Sequence, residues 1–80
     1  MQTVQNENVV GITMMKAKFL GMDGWDRPVY ECENGVLIKD TDPRKNNKPK
    51  LCTSYNNDFD GEPDTPITWD VELLPQRVVW

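Results

Sequence analysis

A regular alternation of apolar and polar residues is the feature that most restricts the fold of this chain. The alternation is clearest over residues 67–73, where apolar side chains take every second position: Ile67, Trp69, Val71 and Leu73. A period of two places successive side chains on opposite faces of a strand, so this segment is predicted to be the strongest half-buried strand. No stretch of the sequence shows the 3.6-residue period of an amphipathic helix. The pattern predicts an all-β protein.

Residues 29–40 are predicted to form a β-hairpin around Asn34-Gly35. A three-residue turn, with Gly35 as a left-handed bulge residue, collects the apolar side chains on one face: Tyr30, Cys32, Val36 and Ile38. A two-residue turn would mix glutamates into that face, because a slip of one residue exchanges the two faces of a strand. The three-residue turn is therefore predicted, with Glu31 and Lys39 interacting diagonally on the opposite face.

The remaining pattern predicts one small domain over residues 12–80. Residues 12–20 and 51–55 alternate like strands, and residues 77–80 are predicted to form a short closing strand. Five or six short strands in so short a chain favour a small antiparallel barrel or twisted meander, of the SH3-like or OB-like kind. Residues 1–11 are polar and aperiodic, and they are predicted to be a disordered leader.

Composition excludes several classes of function. The chain has thirteen acidic and nine basic residues, a net charge of −4, whereas general nucleic-acid binders are normally basic. No apolar run reaches the roughly 20 residues that span a bilayer, and no signal peptide is apparent, so a cytoplasmic location with free thiols is expected. The chain has no histidine and no nucleotide-binding or catalytic motif. We therefore expect neither an enzyme nor a cofactor.

An acidic segment, residues 56–66, invites comparison with calcium-binding loops. Its oxygen-bearing side chains follow the spacing of such a loop: Asn56, Asp58, Asp60, Glu62 and Asp64. The position that should supply a bidentate glutamate is Ile67, and the flanking segments are predicted strands rather than helices. The segment is interpreted as a series of turns with solvated carboxylates, held to the domain by Phe59. No metal site is expected, and calcium binding is kept as a low-ranked alternative.

Aromatic and charged loop residues indicate a partner-binding surface. Tryptophan, tyrosine and arginine are the residue types most enriched at interface hot spots. The expected partner-binding residues lie in two loops: Trp25, Arg27, Phe59, Asp60, Glu62 and Asp64. The leading hypothesis is a non-catalytic protein-interaction module whose partner is another protein. An exposed edge strand also offers a route to a homodimer.

Two stretches, residues 19–40 and 59–67, resemble short uncharacterised proteins of phages and mobile elements of gut bacteria. The resemblance implies a mobile-element context and brings no known activity or functional residues. It accompanies an alternative hypothesis, in which the protein is an acidic inhibitor of a host nucleic-acid-handling defence machine. That hypothesis requires a set of carboxylates to line one continuous face: Asp58, Asp60, Asp64, Asp70 and Glu72.

Overall fold

The computed structural model describes residues 14–80, and the leader predicted over residues 1–11 lies outside this range. The strands, numbered here in chain order, are β1 Met15–Met22, β2 Pro28–Cys32, β3 Leu37–Asp40, β4 Leu51–Ser54, β5 Pro63–Pro66 and β6 Val71–Leu74. They form one six-stranded sheet in the order β5-β4-β3-β2-β1-β6, with a short 3₁₀ turn at Tyr55–Asn57. The all-β prediction is confirmed. None of the helical structure in this range is long and apolar enough to cross a membrane.

The sheet is open and mixed rather than a closed antiparallel barrel. Strands β1 to β5 form an antiparallel meander, whereas β6 pairs with β1 in parallel. Since β5 and β6 are the two opposite edges, residues 67–70 must cross one face of the sheet to join them. Ile67 and Trp69 pack against the core during this crossing. The predicted strand over residues 67–73 is therefore wrong in its first half, although its apolar side chains do face inward.

The predicted hairpin has the predicted register. Tyr30 pairs with Ile38, and Gly35 has a left-handed φ of 86°. The N–H of Gly35 donates to the carbonyl of Cys32 at 2.8 Å, which closes the three-residue turn. The expected interaction of Glu31 with Lys39 is wrong. Lys39 is fully buried and pairs with an aspartate elsewhere in the chain.

The core lies on one face of the sheet and is covered by two chain segments. Its centre is formed by four buried residues: Ala17, Tyr30, Cys32 and Ile38. Burying a side chain such as that of Ile38 stabilises the fold by about 1.5–3 kcal/mol. The 67–70 crossing covers part of this face, and the segment after β6 covers another, where the N–H of Val78 donates to the Tyr30 hydroxyl at 2.9 Å. The closing strand predicted over residues 77–80 is wrong, since this segment forms no strand.

The two edges of the sheet differ in their capacity to pair with another strand. β5 contains Pro63 and Pro66, which have no N–H to donate to a neighbouring strand. β6 contains no proline, and among residues 14–80 no strand pairs with its outer side. The homodimer through an edge strand stays a prediction, and β6 is the edge that suits it.

Candidate functional site

The turn between β1 and β2 is organised by the carboxylate of Asp23. Its Oδ1 accepts the backbone N–H groups of Trp25 at 2.8 Å and Arg27 at 2.9 Å. Its Oδ2 accepts Nε of Arg27 at 2.9 Å and Nζ of Lys39 at 2.8 Å. A buried carboxylate is stable only when its oxygens are paired in this way. The turn is thereby fixed, and the Trp25 side chain is left 70% exposed.

These contacts keep the carboxyl group of Asp23 ionised. Burial by itself raises the pKa of a carboxyl group, but hydrogen bonds from Lys39, Arg27 and Trp25 outweigh burial here. The pKa of Asp23 is therefore held well below its ordinary value. Asp23 and Lys39 form an ion pair in which both side chains are inaccessible to solvent.

Lys39 joins this turn to residues 58–62, the part of the acidic segment between the 3₁₀ turn and β5, which we call the acidic loop. Besides Asp23, its Nζ donates to the carbonyl oxygens of Phe59 at 3.1 Å and Gly61 at 2.6 Å. An ammonium group has three donors, so all of them are used. One buried lysine thus holds the loop and the turn against the same place on the sheet.

The acidic loop lies on the face of the sheet opposite the core. A register shift after Phe19 lets Gly21 pair with Val29, and Val29 in turn pairs with Lys39, so these three residues form one row across β1, β2 and β3. The ring of Phe59 packs over Gly21, where an added Cβ would lie 3.4 Å from the ring. Phe59 therefore holds the loop on the sheet, as the sequence predicts.

Two glycines let the loop and the turn approach each other. Gly61 has no room for a side chain, since a Cβ there would overlap the carbonyl oxygen of Tyr55 and lie 2.6 Å from Oγ of Ser54. Gly24 belongs to the turn, and its N–H donates to Oδ1 of Asp60 at 2.9 Å. This hydrogen bond makes Asp60 the immediate neighbour of the Trp25 turn.

Trp80 is the residue at this site that the sequence did not single out as partner-binding. Its indole Nε1 donates to the carbonyl of Asp26 at 3.1 Å, across 54 positions of sequence, and its backbone N–H donates to Pro43 at 3.1 Å. Trp80 is 70% exposed, like Trp25. Two exposed tryptophans therefore lie at one turn. We call Trp25, Asp60 and Trp80 the tryptophan surface.

The predicted partner-binding residues divide into three groups. Trp25 and Asp60 are exposed and lie together. Arg27 and Phe59 are partly buried and hold the two segments in place. Glu62 lies directly before the edge strand β5, and Asp64 lies within it. Both are exposed, and within residues 14–80 their side chains form no hydrogen bond to the turn.

The acidic residues do not converge on one place. Within residues 14–80, no three Asp, Glu, His or Cys side chains are grouped as metal ligands, and this applies to the four acidic calcium candidates: Asp58, Asp60, Glu62 and Asp64. Asp64 lies on β5 and Glu72 on β6, at opposite edges of the sheet. Two carboxylates of the set required by the inhibitor hypothesis therefore lie on different edge strands, and the hypothesis stays a prediction.

The chemistry of this site suits holding a shape rather than transferring a proton. Asp23 and Lys39 direct their polar atoms at each other and at neighbouring groups of the chain, which leaves neither free for a substrate. Burial raises the pKa of the Cys32 thiol, with the Trp69 indole acting in the opposite direction, and a protonated thiol is a weak nucleophile. No protein-family model, curated protein sequence or solved structure matches this chain.

Proposed function

We propose that the protein is a non-catalytic interaction domain that binds another protein through the tryptophan surface. The observation that carries this proposal is the exposure of two tryptophans, each 70% exposed, at a single turn. Tryptophan is among the most buried residue types on average, and it is strongly enriched at interface hot spots. An exposed pair is costly in solvent, and a partner that covers both side chains would remove that cost.

The tryptophan surface is formed before any partner binds. Asp23 fixes the Trp25 turn, two hydrogen bonds fix Trp80, and the Gly24 N–H fixes Asp60. Binding to a preformed surface avoids most of the entropy cost of ordering loops. We expect the partner to offer apolar pockets for the indoles and a basic group opposite Asp60, since complementary charges favour specific association.

Affinity capture with matched variants tests the proposal. The immobilised full chain would be exposed to an extract of the cells that produce it, in four forms: wild type, Trp25→Ala, Trp80→Ala and Tyr55→Ala. Tyr55 is the matched control because it is a 65% exposed aromatic residue outside the tryptophan surface. Circular dichroism and thermal melting would establish that all four forms are folded.

A protein retained by wild type and Tyr55→Ala, and lost with both tryptophan variants, is the expected result. Truncating a hot-spot residue costs at least about 2 kcal/mol, which is roughly a 30-fold loss of affinity. The proposal fails if wild type retains nothing specific, or if its partner is retained equally by the two tryptophan variants.

A further inference from the structure

A groove of about 630 Å³ lies between the start of β4 and the 67–70 crossing. Its walls include four half-buried apolar residues that also pack against the core: Leu51, Ile67, Trp69 and Val71. The N–H of Ile67 donates to the carbonyl of Leu51 at 3.1 Å and holds the two walls together. Small-molecule sites typically have volumes of about 300–1,000 Å³ and mostly apolar walls. The groove matches both properties.

Two lysines give one rim of the groove a positive charge. Lys48 and Lys50 both line it and are exposed, and neither forms an ion pair with any of residues 14–80. The intervening proline biases Lys48 towards an extended backbone, in which alternate side chains point to the same side. Among the described residues that line the groove, one is acidic, Asp70, and it belongs to the other wall.

The backbone of Lys50 is fixed in place. Its N–H donates to Oδ1 of Asp40 at 3.0 Å, and its carbonyl accepts the N–H of Thr41 at 2.9 Å. Two lysines without an ion pair among residues 14–80 therefore lie beside an apolar groove, on a chain whose net charge is −4. This local charge is opposite to that of the whole protein, so the groove attracts a ligand that most of the surface repels.

We propose that this groove binds a small amphipathic carboxylate. Its apolar body lies along Leu51, Ile67 and Trp69, and its carboxylate accepts hydrogen bonds from Lys48 and Lys50. Apolar burial supplies affinity, and the charge-assisted hydrogen bonds orient the ligand. The groove shares no residue with the tryptophan surface, so this proposal is independent of the proposed function.

The test is an NMR titration of the ¹⁵N-labelled full chain with decanoate, below its critical micelle concentration. Decyltrimethylammonium, which has the same apolar chain and the opposite charge, is the ligand control. The variant Lys48→Glu/Lys50→Glu removes the charges of the rim. Lys16→Glu/Lys18→Glu is its matched control, because it makes the same change of charge at two exposed lysines on β1.

Decanoate is expected to shift the amide signals of Leu51, Ile67 and Val71 in a saturable manner. Its affinity should fall at least tenfold in Lys48→Glu/Lys50→Glu and less than threefold in Lys16→Glu/Lys18→Glu, with thermal melting showing that both variants are folded. Absence of saturable shifts at millimolar decanoate would overturn the proposal. Equal affinity for decyltrimethylammonium, or unchanged decanoate affinity in Lys48→Glu/Lys50→Glu, would overturn it as well.

Discussion

Replacing Asp23 with alanine should remove a large part of the stability of this domain. The substitution leaves the Lys39 ammonium buried with two carbonyl oxygens and no anionic partner. It also removes the acceptor for the backbone N–H groups of Trp25 and Arg27. Breaking a buried ion pair by removing one partner costs about 3–5 kcal/mol, because the remaining charge is not compensated.

This loss is large relative to the total free energy of unfolding of the domain. At roughly 0.05–0.15 kcal/mol per residue, an 80-residue chain has a free energy of unfolding of roughly 4–12 kcal/mol. Asp23→Ala should therefore lose between roughly a quarter and all of the free energy of unfolding. Asp23→Asn keeps an acceptor oxygen for the two backbone N–H groups, although its amide nitrogen cannot accept from Lys39 and Arg27, so its loss should be smaller than that of Asp23→Ala.

Urea denaturation followed by circular dichroism measures these differences directly. Arg44→Ala is the control. It removes the Arg44 side chain, which is 65% exposed and pairs with Asp42 at the surface, so it should change the urea midpoint little. Asp23→Ala should lower the free energy of unfolding several times more than Arg44→Ala. A free energy of unfolding for Asp23→Ala within about 1 kcal/mol of the wild-type value would contradict this prediction, because an ordinary substitution has an effect of that size.

Three further predictions follow from the same contacts. Gly61→Ala should lower the free energy of unfolding by about 1–3 kcal/mol in urea, because a Cβ there overlaps its neighbours, whereas Gly24→Ala meets only ordinary contacts. Tyr30→Phe should cost about 1 kcal/mol, since it removes the acceptor of the Val78 N–H. The depressed pKa of Asp23 stabilises the fold fully above its unfolded pKa, near 3.9, and this contribution is lost as pH falls through the folded pKa. The melting temperature of wild type should therefore fall more steeply below about pH 4 than the melting temperature of Asp23→Asn, which has no carboxyl group at this position.

The parts of the fold that the sequence predicts are those decided by short-range pattern. The register of the hairpin follows from one requirement, that Tyr30 and Ile38 share a face, and Gly35 supplies the backbone conformation that this register needs. Alternation at Ile67 and Trp69 correctly predicts which side chains face the core. It does not predict their hydrogen-bonding partners, so a segment that crosses the sheet has the same pattern as a strand within it.

The candidate site depends on contacts that no local pattern contains. Lysine is the residue type most often found exposed, yet Lys39 is buried because an aspartate sixteen positions away and two loop carbonyls meet its ammonium. Trp80 reaches the Trp25 turn across 54 positions, through one hydrogen bond to a backbone carbonyl. The sequence predicts that Trp25 and Asp60 are accessible, but their proximity to Trp80 arises only when the chain after β6 folds back over the core.

Asp23 holds the Trp25 turn in one preformed shape, and amide hydrogen exchange measures how firmly it does so. The N–H groups of Trp25 and Arg27 both donate to the Asp23 carboxylate and are partly buried. Because of these hydrogen bonds, the two amides should exchange at least about 100-fold more slowly than in an unfolded chain. This ratio corresponds to a local opening free energy of roughly 2.7 kcal/mol. The protection should fall most in Asp23→Ala, which has no acceptor for the two N–H groups, and less in Asp23→Asn, which keeps an acceptor oxygen. Exchange of both amides at unfolded-chain rates in the wild-type protein would show that Asp23 does not hold the turn.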